Sequence, residues 1–460
     1  MRVLNMASED RTGHTMDEHG KNADLVIEGG MIITMAEGQA PISNGRIFIK
    51  DGIITDIQSR KERDKGPGIQ AEVIDAKDSI VMPGLVNAHT HAAMTLFRGL
   101  ADDLPLKQWL FEKIFPAEAK FLNPDTVYWG SLLGCLEMIA SGTTCIADGY
   151  FFQDETVRAV HESGLRGLIA QGVIDFPAPG APDPKKNLQL AREFIEKWLG
   201  FSSLITPGIF CHSPVTCSEQ TLKGAWEISR SFDLPLQIHL SETSDEVNEV
   251  LRKTGKRPVF YLDGLGLIDK GLIAAHAIHL NKEEISCIFE NGIKIVHVPE
   301  SNMKLCAGLA PVRDMINAGL TVGLGTDGCS SNNNLDLFCE MDTAAKLSKV
   351  YDLDPVGLDA NTVMKMATCW GASVLGLENE IGTIELKKKA DIIVIDIHQP
   401  HLCPVYDPLS AIVYSANGAD VKDVIVNGKV LMKNREFTTL NPVEIMEKMK
   451  AFSSKINPNV

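Results

Sequence analysis

Two histidines two residues apart, His89 and His91, close the stretch Pro83-Gly84-Leu85-Val86-Asn87-Ala88-His89-Thr90-His91. In a strand, residues i and i+2 point to the same face, so both imidazoles would project together from one strand end, as a shared metal ion requires. A bare His-x-His is short enough to occur incidentally on a surface, so the rest of the chain has to decide. It supplies His212 in Cys211-His212-Ser213, His239 in His239-Leu240-Ser241-Glu242, His276 with His279 just beyond it, and His297. Asp327 follows in Gly325-Thr326-Asp327-Gly328. One such histidine is more often a satisfied core or surface residue. Six of them at successive strand ends, with an aspartate after the last, are hard to dismiss.

Three imidazoles and a carboxylate form a neutral-nitrogen, anionic-oxygen set that suits Zn2+ with a position left open for water. Water held there has a pKa of about 7. Glu242, three residues after His239, is close enough to face the metal without binding it, as a proton shuttle must. Taken alone, Glu242 also reads as a solvated member of the acidic run Glu242–Glu249. A second histidine such as His276 can hydrogen-bond the nucleophile or polarise the electrophile.

These residues need a scaffold that brings strand ends together. Between about residues 83 and 380, β-type runs alternate with helical periods. After the run ending at His91 come Thr144–Ala147, Gly167–Ala170, Ile205–Phe210, Pro235–His239, Ile273–His276, Lys294–His297 and Thr321–Gly325. Helical periods cover Thr156–Ser163, Leu188–Trp198 and Glu219–Phe232. Near-continuous apolar strands alternating with helices predict a parallel sheet, and eight such units predict an α/β (β/α)8 barrel with its active site at the C-terminal strand ends. A doubly wound sheet is the alternative, but no Gly-x-Gly-x-x-Gly fingerprint follows a strand. Both chain ends read as short strands with hairpin turns, Asp51-Gly52 near the start and Asn427-Gly428 near the finish. They predict one small composite domain, residues 23–82 with 381–460, beside the barrel at 83–380.

A chain of 460 residues, 44% hydrophobic and 23% charged, suits a large catalytic domain with a smaller companion. A net charge of -16 argues against nucleic acid or an anionic membrane as partner. No apolar run approaches the ~20 residues of a membrane-spanning helix. Residues 1–22 lack the apolar segment of a signal peptide and read as a disordered extension, with Met6 or Met16 as other possible starts. The 10 cysteines are scattered without a C-x-x-C pair, which suits reduced thiols in a cytoplasmic enzyme.

The motif at 83–91, His239-x-x-Glu242, Ala275-His276 and Gly325-Thr326-Asp327-Gly328 together resemble the metal-dependent amidohydrolase superfamily over about residues 24–437. More narrowly the chain is similar to the 5-methylthioadenosine/S-adenosylhomocysteine deaminases. That likeness rests on Met94–Asp103, Trp109-Leu110, Phe115–Glu118, His212-Ser213-Pro214, His239–Thr243 and Ser330–Leu337. The resemblance implies a barrel with a β-sandwich made from both chain ends. It implies one Zn2+ per subunit, iron in some relatives, bound by His89, His91, His239 and Asp327. Glu242 would be the proton shuttle, His276 would orient the nucleophile, and Asp327 would take a proton from it. Glu118 matches a ribose-binding glutamate, His212 a substrate-binding histidine and Trp109 the wall near a sulfur substituent. A glutamate accepting from both ribose hydroxyls pairs two donors with one carboxylate. The plainer readings are a solvated helix residue for Glu118 and ordinary core for Trp109.

One departure stands out. Relatives that take S-adenosylhomocysteine hold its carboxylate with arginines, where this chain reads Ala170–Pro177 and then Ala181–Lys186 without one. Lys185 or Lys186 would be a less specific substitute. The expected reaction is hydrolytic deamination of an adenine nucleoside (5′-methylthioadenosine, S-adenosylhomocysteine, adenosine or 5′-deoxyadenosine) to its inosine analogue and ammonia. The alternative is deamination or dechlorination of another heteroaromatic ring such as guanine, cytosine or a triazine. The expected partners are the small purine nucleoside and further copies of the chain in a homo-oligomer.

Overall fold

The computed structural model describes residues 23–59 and 71–457. The expected extension at 1–22 lies outside the described residues.

Eight parallel strands form the central sheet: β1 (Leu85–His91), β2 (Thr143–Tyr150), β3 (Arg166–Val173), β4 (Ile205–Cys211), β5 (Leu236–Leu240), β6 (Leu272–His276), β7 (Lys294–His297) and β8 (Val322–Leu324). Each pairs with its neighbour in chain order, and the two-residue strand Asp327–Gly328 returns to pair with β1. The seam closes just past β8, where the Gly325 N–H donates to the His297 carbonyl and the Thr326 N–H to the His89 carbonyl. The sheet is therefore the expected barrel. Helices between the strands bury apolar stripes against it, and side-chain caps fix several of their starts, among them Asn123, Ser218, Thr243 and Asn281.

The chain ends build two smaller sheets. A four-stranded sheet takes Leu25–Glu28, Gly45–Lys50, Ile53–Ser59 and Glu72–Asp75. A six-stranded sheet mixes Met31–Ile32 and Ser79–Pro83 with Ile392–Asp396, Val421–Val426, Lys429–Lys433 and Glu436–Phe437. Ile27, Ile47 and Ile74 from one sheet share a buried cluster with Val81, Ile392 and Ile425 from the other. Both expected hairpins form, across Asp51-Gly52 and Asn427-Gly428. The last helix, Pro442–Ile456, instead packs on barrel helix Pro124–Ala140, where Met449 and Val127 share a cluster.

A buried ion pair ties barrel to sheets: Arg166 on β3 meets Asp391 at 2.9 Å, and Asp391 also accepts the Asn427 N–H.

Candidate active site

The pairing of β1 with β2 slips between Leu85 and Val86 and again between Asn87 and Thr90. Bulges of this kind re-aim side chains beside active sites, and this one lies directly beneath the two histidines. His89 and His91 both reach Asp327 Oδ1, at 3.5 and 3.2 Å, and His239 Nε2 approaches His89 Nε2 to 3.3 Å. One nitrogen or oxygen from each of the four residues lies within 4.8 Å of the others, and all four side chains are buried. His91 Nδ1 donates to the Gly149 carbonyl, which leaves its Nε2 lone pair free.

Burial holds His89 down to about 4 and His239 well below the usual imidazole value, so both are neutral at pH 7. Burial also pulls His91 down, but the hydrogen bond and charge of Asp327 outweigh it and hold it above its ordinary value. Burial raises Asp327, yet hydrogen bonds from His89 and His91 keep it well below the carboxylate range. A converging, buried set of three imidazoles and one carboxylate fits a divalent cation.

The supports of these groups come from several elements. Asp327 Oδ2 accepts from Ser301 (2.6 Å) and Ser331 (2.8 Å), so Oδ1 is turned to the histidines. Asn87 locks the seam by donating to Thr326 Oγ1 and accepting the Thr326 N–H. Gly325 passes so close to β1 that a Cβ there would sit 2.7 Å from the His89 carbonyl oxygen, which is why this position carries no side chain. Buried Asp148 on β2 accepts the Ala92 N–H and a Gln153 amide hydrogen, fixing the turn after His91.

Glu242 Oε2 lies 3.8 Å from His276 Nε2. It is not the solvated glutamate of an acidic run: its carboxyl is pushed up by burial. Glu246 carries the turn instead, accepting the N–H groups of Ser241 and Glu242 at 2.8 Å each. His276 Nδ1 pairs with Asn302 Oδ1 at 2.9 Å, and with the proton on Nδ1 the Nε2 lone pair faces Glu242. Four residues here adopt left-handed backbone: Ser241 (φ 51°), His276 (φ 72°), Ala277 (φ 49°) and Asp327 (φ 59°).

A cavity opens above this cluster. Glu118, on helix Phe115–Phe121, lines it at 3% exposure and accepts a hydrogen bond from the Tyr150 hydroxyl. Burial pushes the Glu118 carboxyl up to about 7, against the pull of Tyr150. His212 lines the cavity with Nδ1 paired to Thr216 Oγ1 at 2.9 Å, and burial lowers it to about 4. Trp109 forms part of the wall, its buried indole N–H without a hydrogen-bond partner among the described residues. Leu106, Leu110, Phe115, Phe151 and Ile174 complete an apolar end, and among the described residues no lysine or arginine lines the cavity.

Two histidines singled out in the sequence take no place in the lining. His297 is buried with Nδ1 unpartnered among the described residues, and its carbonyl serves the barrel seam. His279 lies in a loop rather than one helical turn on, and its ring pairs with the Ala307 carbonyl. Sequence reasoning missed Tyr150, Asp148, Glu246, Ser301, Asn302 and the role of Ser331. Of these, Ser331 stood in the stretch Ser330–Leu337 and Glu246 in the acidic run Glu242–Glu249, both already singled out.

Residues 80–431 match the amidohydrolase family. The chain is 44% identical over 440 residues to 5-methylthioadenosine/S-adenosylhomocysteine deaminase 1 of Syntrophus aciditrophicus, covering 96% of this chain and 99% of that one. It is 43% identical over 435 residues to the 5′-deoxyadenosine deaminase of Methanosarcina mazei, covering 94% and 98%. The crystal structure of an adenosine deaminase from Xanthomonas campestris with bound zinc superposes with a TM-score of 0.92 at 34% identity, over 95% of this chain and 99% of that one. With this match spanning His89, His91, His212, His239, His276 and Asp327, the chain belongs to the amidohydrolase family.

Proposed function

We propose that the protein is a zinc-dependent deaminase of adenine nucleosides, converting the 6-amino group of the purine to a carbonyl with release of ammonia. The observation that carries this reading is Glu118: a buried carboxylate shares one cavity with the His/His/His/Asp cluster, where it suits the two hydroxyls of a ribose. The curated relatives named for deamination of adenosine derivatives support it.

His89, His91, His239 and Asp327 would hold the ion. Bound there, a divalent metal supplies positive charge that makes water nucleophilic near neutral pH. The chain's own residues do the rest. Asp327 takes a proton from the attacking water as its oxygen bonds to C6. Glu242, whose carboxyl is pushed up by burial, gives a proton to the ring nitrogen and then delivers one to the departing amine. The C6–N bond breaks, and the water's two protons replace the two that Glu242 gives up, so that one is balanced on the ring nitrogen of the product and one on ammonia. His276, fixed by Asn302, orients the nucleophile through Nε2. His212 contacts the base or sugar, and Trp109 closes the wall at the 5′ substituent.

A cavity lined by no lysine or arginine among the described residues favours 5′-methylthio and 5′-deoxy substituents over a homocysteine carboxylate, which would be buried unpaired. The chain is taken to divide into a barrel at 83–380 and a composite sheet domain from 23–82 and 381–460. No described helix is long and apolar enough to cross a membrane. A cytoplasmic homo-oligomer is the proposed setting.

The test is a spectrophotometric panel on zinc-loaded protein with methylthioadenosine, S-adenosylhomocysteine, 5′-deoxyadenosine, adenosine, guanine and cytosine, with Glu118→Ala alongside. Turnover confined to adenine nucleosides, and crippled by Glu118→Ala, is expected. Turnover of a free base alone would sink the nucleoside reading.

A further inference from the structure

Glu118 is the least anchored member of the site by chain position. It sits on a short helix in the excursion between β1 and β2, outside the barrel. Its carboxylate is nonetheless buried, and a buried carboxylate with nothing to hold it would turn away or take up a proton. Among the described residues a single group reaches it, the hydroxyl of Tyr150. Tyr150 is the last residue of β2, is 6% exposed, and lines the same cavity. Its ring lies 5.9 Å from the ring of His91, tilted by 38°. The residue before it, Gly149, gives its carbonyl to His91 Nδ1. Two consecutive residues of one barrel strand thus grip a histidine of the metal cluster and the carboxylate on the facing helix.

We propose that Tyr150 is a positioning residue for ribose recognition, holding Glu118 at a set distance from the metal cluster so that its unused oxygen faces both sugar hydroxyls. The inference rests on the nucleoside reading above. A carboxylate offers about four acceptor positions, and Tyr150 occupies one, on Oε1. Oε2 remains free for a pair of donors. Tyr150 cannot compete as a proton donor to substrate, because its hydroxyl is already committed to Glu118, and burial with that carboxylate beside it holds it well above the usual phenol value. Its contribution is geometric: it adds a directional hydrogen bond from the barrel to a helix whose other contacts there are apolar packing.

The experiment compares methylthioadenosine with its 2′,3′-dideoxy analogue on zinc-loaded wild type, Tyr150→Phe, Glu118→Ala and the double variant. Tyr150→Phe keeps the ring and removes only the hydroxyl. It is expected to lower kcat/KM for the ribonucleoside about tenfold, chiefly through KM, and to leave the dideoxy analogue within about twofold. In the Glu118→Ala background the same change should add nothing, since the two residues act as one unit. Equal losses on both substrates, or additive losses in the double variant, would mean a merely structural tyrosine and overturn the proposal. If Glu118→Ala discriminates the two substrates and Tyr150→Phe does not, this inference alone fails. If Glu118→Ala does not discriminate them either, the ribose reading itself falls and takes the inference with it.

Discussion

At one end of the cavity, the histidines that meet Asp327 stand on barrel strands, and second groups grip much of the set. Gly149 holds His91, Asn302 holds His276, and two serines hold Asp327. At the other end the walls come from the short helical stretches 106–121, and the contacts are apolar, with Leu106, Trp109, Leu110 and Phe115 facing the space. The first end has its geometry dictated by a closed sheet. The second belongs largely to the excursion between β1 and β2, which packs on the sheet through Tyr150, Phe151 and Ile174. Related barrels can serve different rings by altering such a wall.

The largest expected break lies at the strand-borne end. Glu242→Gln should lower kcat by about 10^2- to 10^4-fold while metal content, measured on the purified protein, stays at the wild-type level. A loss below tenfold would remove Glu242 from proton transfer. Next comes the support of Asp327: Ser301→Ala combined with Ser331→Ala deprives Oδ2 of both donors. Metal affinity, read by competition with a chelator, should fall about 10- to 100-fold, and an unchanged affinity would show the serines to be bystanders. At the loop-borne end, Trp109→Ala should raise KM for methylthioadenosine about tenfold and leave kcat nearly alone. A matching drop in kcat would erase the contrast between the two ends.

The smallest effect belongs to a residue remote from both. Asp336 caps helix Leu337–Asp352 and accepts the Gly418 N–H, and burial pushes its carboxyl up to about 6. The folded state then binds this proton more tightly than the unfolded chain does. Its contribution is complete below about pH 4 and is lost as pH rises through about 6. Asp336→Asn should flatten that fall in unfolding free energy by about 1 kcal/mol, with kcat unchanged. A denaturation series from pH 4 to 7 decides it.

The barrel was legible because each strand is an apolar run that stops at a polar residue, and the histidines and Asp327 mark those stops in order. The hairpins at Asp51-Gly52 and Asn427-Gly428 were legible because the turn residues are local. What stayed hidden depends on closure in three dimensions. Ser301 and Ser331 meet Asp327 only after β7 and the seam come together, and no spacing announces this. Tyr150 reads as one more aromatic in a buried strand until helix Phe115–Phe121 folds over it. The slip beneath His89 leaves no compositional trace, since it is a matter of pairing between two strands. His297 shows the converse error. A histidine at a strand end satisfies the pattern, yet its ring stays out of the cavity lining.

Left-handed backbone at Ser241, His276, Ala277 and Asp327 has a practical consequence for anyone engineering this enzyme. Such conformations at non-glycine residues cost on the order of 1–3 kcal/mol each. Glycine would relieve the strain, but at His276 and Asp327 it would delete the working side chain. A directed-evolution campaign scored on heat tolerance alone would therefore drift toward robust, inert barrels. Every round needs turnover in its screen.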